Sequence, residues 1–263
     1  MSPMREILVI GIGPGDPEQI TLQAIRLLNE ADLVLIPRKG PDKSDLADLR
    51  REICARHLTN PAARIVEYDM PVRDAAGGYR AGVAAWHREI AAIQRRAIEA
   101  HSGPEARVAL LVWGDPSLYD STLRILDLMA ESGLAFARRV APGVTSLQAL
   151  AARHGVPLNA VGGEVAITTG RRLRAGAPAA GTVAVMLDGG EAFATLDGAD
   201  WDICWGAYLG MPQEIALAGP LDEMAGRIAE IRAEARAAHG WIMDAYLLKR
   251  RTRGAEEGDG PGD

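Results

Sequence analysis

The chain has only two cysteines in 263 residues, Cys54 and Cys204, far apart and without metal-ligand spacing. Neither a disulfide framework nor a zinc site is expected, and two buried, reduced thiols fit a cytosolic protein. No run approaches the ~20 apolar residues that a membrane span needs. Residues 1–6 lead straight into a strand pattern, with no signal-peptide n-region or h-region. There is no excess of basic residues: 29 Lys and Arg face 35 Asp and Glu, a formal net charge of −6. That balance argues against nucleic acid as the main partner. Also missing are a Gly-Lys-Ser/Thr phosphate loop, a Ser-His-Asp or Cys-His signature and any internal repeat. These absences lead us to expect a soluble, cytoplasmic protein with no metal, nucleic-acid or membrane partner.

What is present is a large supply of core. Hydrophobic residues make up 48% of the chain, enough to exclude disorder for most of it. Short apolar, β-rich runs at 6–12, 32–36, 64–68, 108–113 and 134–140 alternate with amphipathic stretches at 17–30, 45–58, 79–101 and 122–131. Such alternation predicts a mostly parallel sheet covered by helices. A further helix is expected from Pro142 to about His154, where Gly155 stops it. The pattern then changes to strands at 165–169, 183–187, 203–208, 215–218 and 241–248 with one clear late helix, 221–238. We expect an α/β protein of two domains, 1–141 with a mostly parallel sheet and 142–248 with a mixed one. Residues 249–263, poor in apolar side chains, are expected to form a disordered tail.

Three glycine–proline turns fall where strands should pass into helices: Gly-Ile-Gly-Pro-Gly-Asp at 11–16, Trp-Gly-Asp-Pro at 113–116 and Ala-Pro-Gly-Val-Thr-Ser at 141–146. The first is half of a dinucleotide fingerprint, but Asp16 stands where the third glycine belongs. Asp16 with Pro17 and Gln19 instead makes a capped helix start, whose carboxylate would repel a phosphate. The second and third turns end strands, where ligands sit in open α/β sheets. Each turn taken singly also has a plain structural explanation: Thr145 with Gln148 fits a capping box, and Asp120 can cap the helix after it.

Taken as a set, the three turns resemble those of the tetrapyrrole (class III) methyltransferases. Val183-Ala-Val-Met-Leu187 and Gly206-Ala-Tyr-Leu-Gly-Met-Pro-Gln-Glu214 resemble that family's later segments, and the resemblance covers roughly 5–250. It implies two α/β domains with S-adenosylmethionine in the cleft between them and S-adenosylhomocysteine as product. By carry-over the cofactor-binding residues are Pro14, Gly114, Asp115, Leu118, Thr145, Ser146 and Met186, with Leu187, Ala207 and Tyr208 added. In the long segment between the second and fourth strands, the stretch 113–124 and Ile167-Thr-Thr-Gly-Arg-Arg-Leu at 167–173, the chain departs from the common family pattern and is most similar to members that methylate precorrin-5 at C-1 with release of acetate; the resemblance implies that reaction.

Methyl transfer to an electron-rich ring carbon needs no side-chain nucleophile, only alignment and exclusion of water. Deacetylation needs a water activated towards the acetyl carbonyl and a donor for its oxyanion. Asp115, Tyr119 and Asp120 are the catalytic candidates, ahead of His154. The substrate's carboxylates call for forked cations, and Arg38, Lys39, Arg73, Arg171 and Arg172 are the candidates, with Trp113 as a stacking surface. The family implies a homodimer. The alternatives are methylation of another precorrin carbon, methylation of rRNA ribose or diphthamide precursor, a non-catalytic tetrapyrrole- or cofactor-binding module, and a nicotinamide dehydrogenase.

Overall fold

A computed structural model describes residues 4–38, 44–72 and 79–251. Residues divide into two compact units, Met1–Thr145 and Ser146–Asp263. Lys39 and Arg73 lie outside the described residues, as does the chain from 252 onwards.

The first unit holds β1 (Glu6–Gly11), α1 (Leu22–Glu30), β2 (Leu33–Arg38), α2 (Ser44–His57), β3 (Arg64–Asp69), α3 (Tyr79–His101), β4 (Arg107–Val112), α4 (Thr122–Glu131) and β5 (Ala137–Ala141). All five strands are parallel, in the order β3-β2-β4-β1-β5. Both faces are covered, which is why β1 and β4 read as unbroken apolar runs. Leu8 and Ile10 of β1 pack with Leu28 of α1 and Ile53 of α2, while Ile7 and Val9 pack with Ile90 of α3 and Leu126 of α4. Each such side chain contributes about 1.5–3 kcal/mol by leaving water. β1 sends the chain towards β2, and β4, lying between them, sends it past β1 to β5. The strand order therefore reverses at the β1–β4 pair, and the carboxyl ends of such a pair are where an open α/β sheet takes a ligand.

The stretch expected as one helix over 17–30 is two elements. Asp16 Oδ1 accepts from the Glu18 N–H at 2.8 Å and caps a single 3-10 turn, Pro17–Gln19. Ile20 then becomes extended and buried, and Thr21 caps α1 by accepting from the Ala24 N–H at 3.1 Å. Burial of Ile20 outweighs continuation of the helix.

The second unit holds α5 (Ser146–His154), β6 (Val165–Thr169), α6 (Gly170–Arg174), β7 (Thr182–Met186), β8 (Trp201–Ala207), β9 (Ile215–Pro220), α7 (Leu221–His239) and β10 (Asp244–Arg250). The sheet order is β6-β7-β10-β8-β9, with β6 and β7 parallel and the other neighbours antiparallel. The chain is thus two α/β units, one with a parallel and one with a mixed sheet. β10 continues through Lys249 and Arg250, into the segment expected as a tail. Phe193, Trp205, Tyr208 and Tyr246 are fully buried here. Gly206 leaves room for α5: a Cβ on it would lie 2.8 Å from Leu150 Cδ1.

Candidate functional site

In the first unit the three glycine turns meet through their main chains. Gly13 and Gly114 form an isolated bridge, the Gly114 N–H donating to the Gly13 carbonyl at 2.8 Å. Both glycines are left-handed, with φ of 80° and 68°, a conformation costly for other residues. Gly11 and Gly143 touch directly: a Cβ on Gly11 would fall 2.5 Å from Gly143 N, and one on Gly143 would fall 2.1 Å from Gly114 O. Thus the ends of β1, β4 and β5 meet in main-chain contact.

Asp115 locks this arrangement. Its Oδ2 accepts from the Gly143 N–H at 2.8 Å, and its Oδ1 accepts from the Ser117 N–H at 2.8 Å and from the Ser117 hydroxyl. Partial burial works against the charged form, but these hydrogen bonds outweigh it and hold the carboxyl below the usual range. Asp115 is therefore an ionised anchor of the turns at neutral pH. Leu118 lies partly buried beside it and Pro14 is buried. Tyr119 is 42% exposed with φ 51°, and Asp120 Oδ1 accepts from the Thr122 N–H at 2.6 Å, at the start of α4. Thr145 ends the first unit and Ser146 begins α5.

In the second unit the ends of β6 and β7 lie side by side, and the start of β10 stands between the end of β7 and the end of β8. The register pairs Thr169 with Met186, Met186 with Ala245, and Ala207 with Asp244. The first residues of β10 therefore bridge the two segments singled out in the sequence. Leu187 leaves β7 at φ 54° and is 64% exposed. Tyr208 leaves β8 at φ 51° but turns inward: its hydroxyl donates to the Trp241 carbonyl and its ring packs edge-on against Trp241. Its main chain is tied as well, the N–H donating to the Met243 carbonyl at 2.9 Å and the carbonyl accepting from the Met211 N–H at 2.8 Å. Among the described residues, four non-glycines have positive φ, and three are Tyr119, Leu187 and Tyr208. Backbone strain of this kind, about 1–3 kcal/mol per residue, collects at functional sites.

The substrate candidates are placed less uniformly. Arg38, at the end of β2, pairs with Asp69, its Nε 2.9 Å from Oδ1. Trp113 packs against the core beneath α1 and α2. Arg171 and Arg172 lie exposed on α6, directly after β6. His154 contacts the Trp205 carbonyl at 3.1 Å. Burial pushes the Cys54 thiol up to about 11, so it is no nucleophile at neutral pH. Among the described residues no cluster of His, Cys, Asp or Glu could hold a metal, and no helix is long and apolar enough to cross a membrane. A surface cavity of about 480 Å³ between α3 and α4, lined by Arg88, Arg95 and Leu128 among others, takes in none of these residues.

The donor set suits a phosphate-free nucleoside cofactor. Asp16 occupies the N–H groups that a pyrophosphate would require. Gly114 leaves its αL side open, a Cβ there meeting nothing closer than 3.9 Å. Main-chain carbonyls at strand ends suit a sulfonium.

The chain belongs to the Tetrapyrrole (Corrin/Porphyrin) Methylases, whose family model matches residues 6–225. It is 51% identical over 250 residues to a precorrin-6A synthase [deacetylating] of Sinorhizobium sp, covering 94% of this chain and 96% of that one. Among solved structures it resembles the cobalamin-synthesis-related protein CobF of Corynebacterium diphtheriae, with a TM-score of 0.81, 38% identity, and 94% and 98% of the two chains covered. A uroporphyrin-III C-methyl transferase of Thermus thermophilus, complexed with S-adenosylhomocysteine, shares the fold at a TM-score of 0.59 and 23% identity, over 93% of this chain and 92% of that one.

Proposed function

We propose that this protein transfers a methyl group from S-adenosylmethionine to C-1 of precorrin-5 and releases the acetyl group as acetate. The observation that carries this is near-full-length similarity to a deacetylating precorrin-6A synthase, on a chain whose strand-end turns are intact and mutually locked. We infer further that it works as a cytoplasmic homodimer and that 1–141 and 142–248 are its functional domains.

When bound, the cofactor supplies an electrophilic methyl on a sulfonium. Its contacts are assigned to Pro14, Gly114, Asp115, Leu118 and Thr145 in the first unit and to Ser146, Met186, Leu187, Ala207 and Tyr208 in the second. Their task is to fix the methyl in line with the ring carbon, which can be worth ~7–11 kcal/mol. Asp115 does this through the turns it pins. For deacetylation, Tyr119 is assigned to donate to the oxyanion and Asp120 to draw a proton from water. Arg38, Lys39, Arg73, Arg171 and Arg172 take substrate carboxylates, Arg38 by exchanging Asp69 for the ligand, while Trp113 backs the site from the core.

The test is anaerobic incubation with precorrin-5 and methyl-labelled S-adenosylmethionine, reading pigment mass and released acid. Label on the ring with free acetate is the expected result. Label with the acetyl retained would move the reaction to another ring carbon. Binding of S-adenosylhomocysteine without transfer would reject this substrate and favour a binding module.

A further inference from the structure

The turn after β7 is built at a cost that leaving a strand does not require. Leu187 is left-handed and exposed, and four residues later Glu191 is left-handed as well, with φ 60°. Between them Asp188 is 4% exposed. Its Oδ2 accepts from the Tyr246 hydroxyl and from the Ala192 N–H, both at 2.6 Å, and its Oδ1 accepts from the Gly190 N–H at 3.2 Å. Its own carbonyl accepts from Arg232 Nη2 at 2.6 Å. Arg232, 2% exposed, lies 3.2 Å through Nε from Asp244 Oδ2, which in turn accepts from Trp205 Nε1 at 2.8 Å. Burial and the neighbouring Asp188 carboxylate keep the Tyr246 phenol protonated, so it remains a donor. Gly170 supplies the space: a Cβ on it would lie 2.1 Å from Asp188 Oδ1.

Two buried carboxylates and a buried guanidinium stabilise a fold no better than apolar side chains of the same volume would. They do fix a conformation, because each bond has one geometry and each unpaired group is costly. Asp188 is bonded on both sides of its own Cα: its carboxylate reaches forward to Gly190 and Ala192 and across to β10, and its carbonyl is held by α7. The residue so clamped immediately follows Leu187, whose side chain is held out to solvent at the end of β7.

We propose that Asp188, clamped by Tyr246 and Arg232, is a positioning residue that presents Met186 and Leu187 to the cofactor. This rests on the cofactor assignment above. Asp188 itself touches no ligand; it sets the strained exit of β7 before the ligand arrives, so that binding need not order it.

The test is calorimetric titration of S-adenosylhomocysteine into wild-type protein, Tyr246→Phe, Asp188→Asn and the control Ile228→Val, with hydrogen exchange over 187–192. Tyr246→Phe is nearly isosteric and removes one donor. It is expected to raise Kd about fivefold, the scale of one hydrogen bond, and to speed exchange at Ala192. Turnover should show KM for S-adenosylmethionine raised, kcat at saturation within about twofold and KM for the tetrapyrrole unchanged. Ile228→Val, lowering Tm without touching the network, should leave Kd alone. If Tyr246→Phe or Asp188→Asn binds as wild type does, or no more weakly than a control of equal Tm, the positioning role is rejected while the cofactor assignment stands. If wild-type protein does not bind at all, both fall together.

Discussion

The two units hold their strand ends by opposite means. In the first, Gly11, Gly13, Gly114 and Gly143 meet backbone to backbone, with one carboxylate, Asp115, as the lock. In the second, the turn after β7 is held by buried side chains, its own Asp188 together with Tyr246 and Asp244 of β10 and Arg232 of α7. Main-chain contact gives a rigid and short-range junction with nothing to adjust. A side-chain network gives a junction that can yield in steps, one bond at a time. Substitutions should therefore fail abruptly in the first case and gradually in the second.

The largest effect is expected from Gly143→Ala. Its Cβ would sit 2.1 Å from Gly114 O, and backbone cannot rotate away; we expect a loss of about 3 kcal/mol or more in urea unfolding, together with loss of S-adenosylhomocysteine binding. Gly170→Ala comes next. It brings a Cβ equally close to Asp188, 2.1 Å from Oδ1 and 2.6 Å from Cβ, but that obstacle is one residue in a turn, which can shift at the expense of its bonds to Tyr246 and Ala192. About 2 kcal/mol is expected. If Gly170→Ala proves the costlier of the two, the contrast between the junctions is wrong.

Asp115→Asn should cost about 1 kcal/mol at neutral pH, since an amide accepts the Gly143 N–H less strongly than a carboxylate does. Because the folded carboxyl titrates below its unfolded value, its contribution is present above the unfolded pKa of about 3.9 and is lost as pH falls through the lower folded one. Urea midpoints of wild type and variant should thus converge as pH is taken from 6 towards 3; parallel curves would show that the charge plays no part. The smallest effect is expected at Arg139→Gln. Arg139 bridges Glu6 and Glu30 on the exposed edge strand β5, so no more than about 1 kcal/mol is at stake, and most of it should vanish in high salt.

The same contrast explains what could be read in advance. The glycine turns were legible because left-handed or crowded backbone forces a residue type into a short motif. β1, β2 and β4 were legible because strands buried on both faces are unbroken apolar runs. The sequence reads β5 as 134–140, yet it runs Ala137–Ala141 and is mostly exposed; the apolar Leu134 and Phe136 that favour a strand pack into the core with α4 instead. The sequence pattern starts β10 at Trp241, whereas the strand starts at Asp244 and Trp241 packs on Tyr208 ahead of it. α6 is five residues long, too short to show a helical period. The Asp188 network had no local signal at all, since Tyr246 and Arg232 stand 58 and 44 residues away from it. Arg38 reads in the sequence as a cation for the substrate, and only the fold reveals that Asp69 already faces it.

The contact of Gly11 with Gly143 carries a consequence for how this sequence can vary. Side chains that touch can be exchanged in pairs, a larger one on one side for a smaller one on the other. Here each missing Cβ faces main-chain atoms, 2.5 Å and 2.1 Å away, and no partner substitution can thin a peptide backbone. In a library randomised at positions 11 and 143 together, functional clones should keep glycine at both. Double replacements should be as dead as single ones, so two residues in direct contact would leave no trace of covariation.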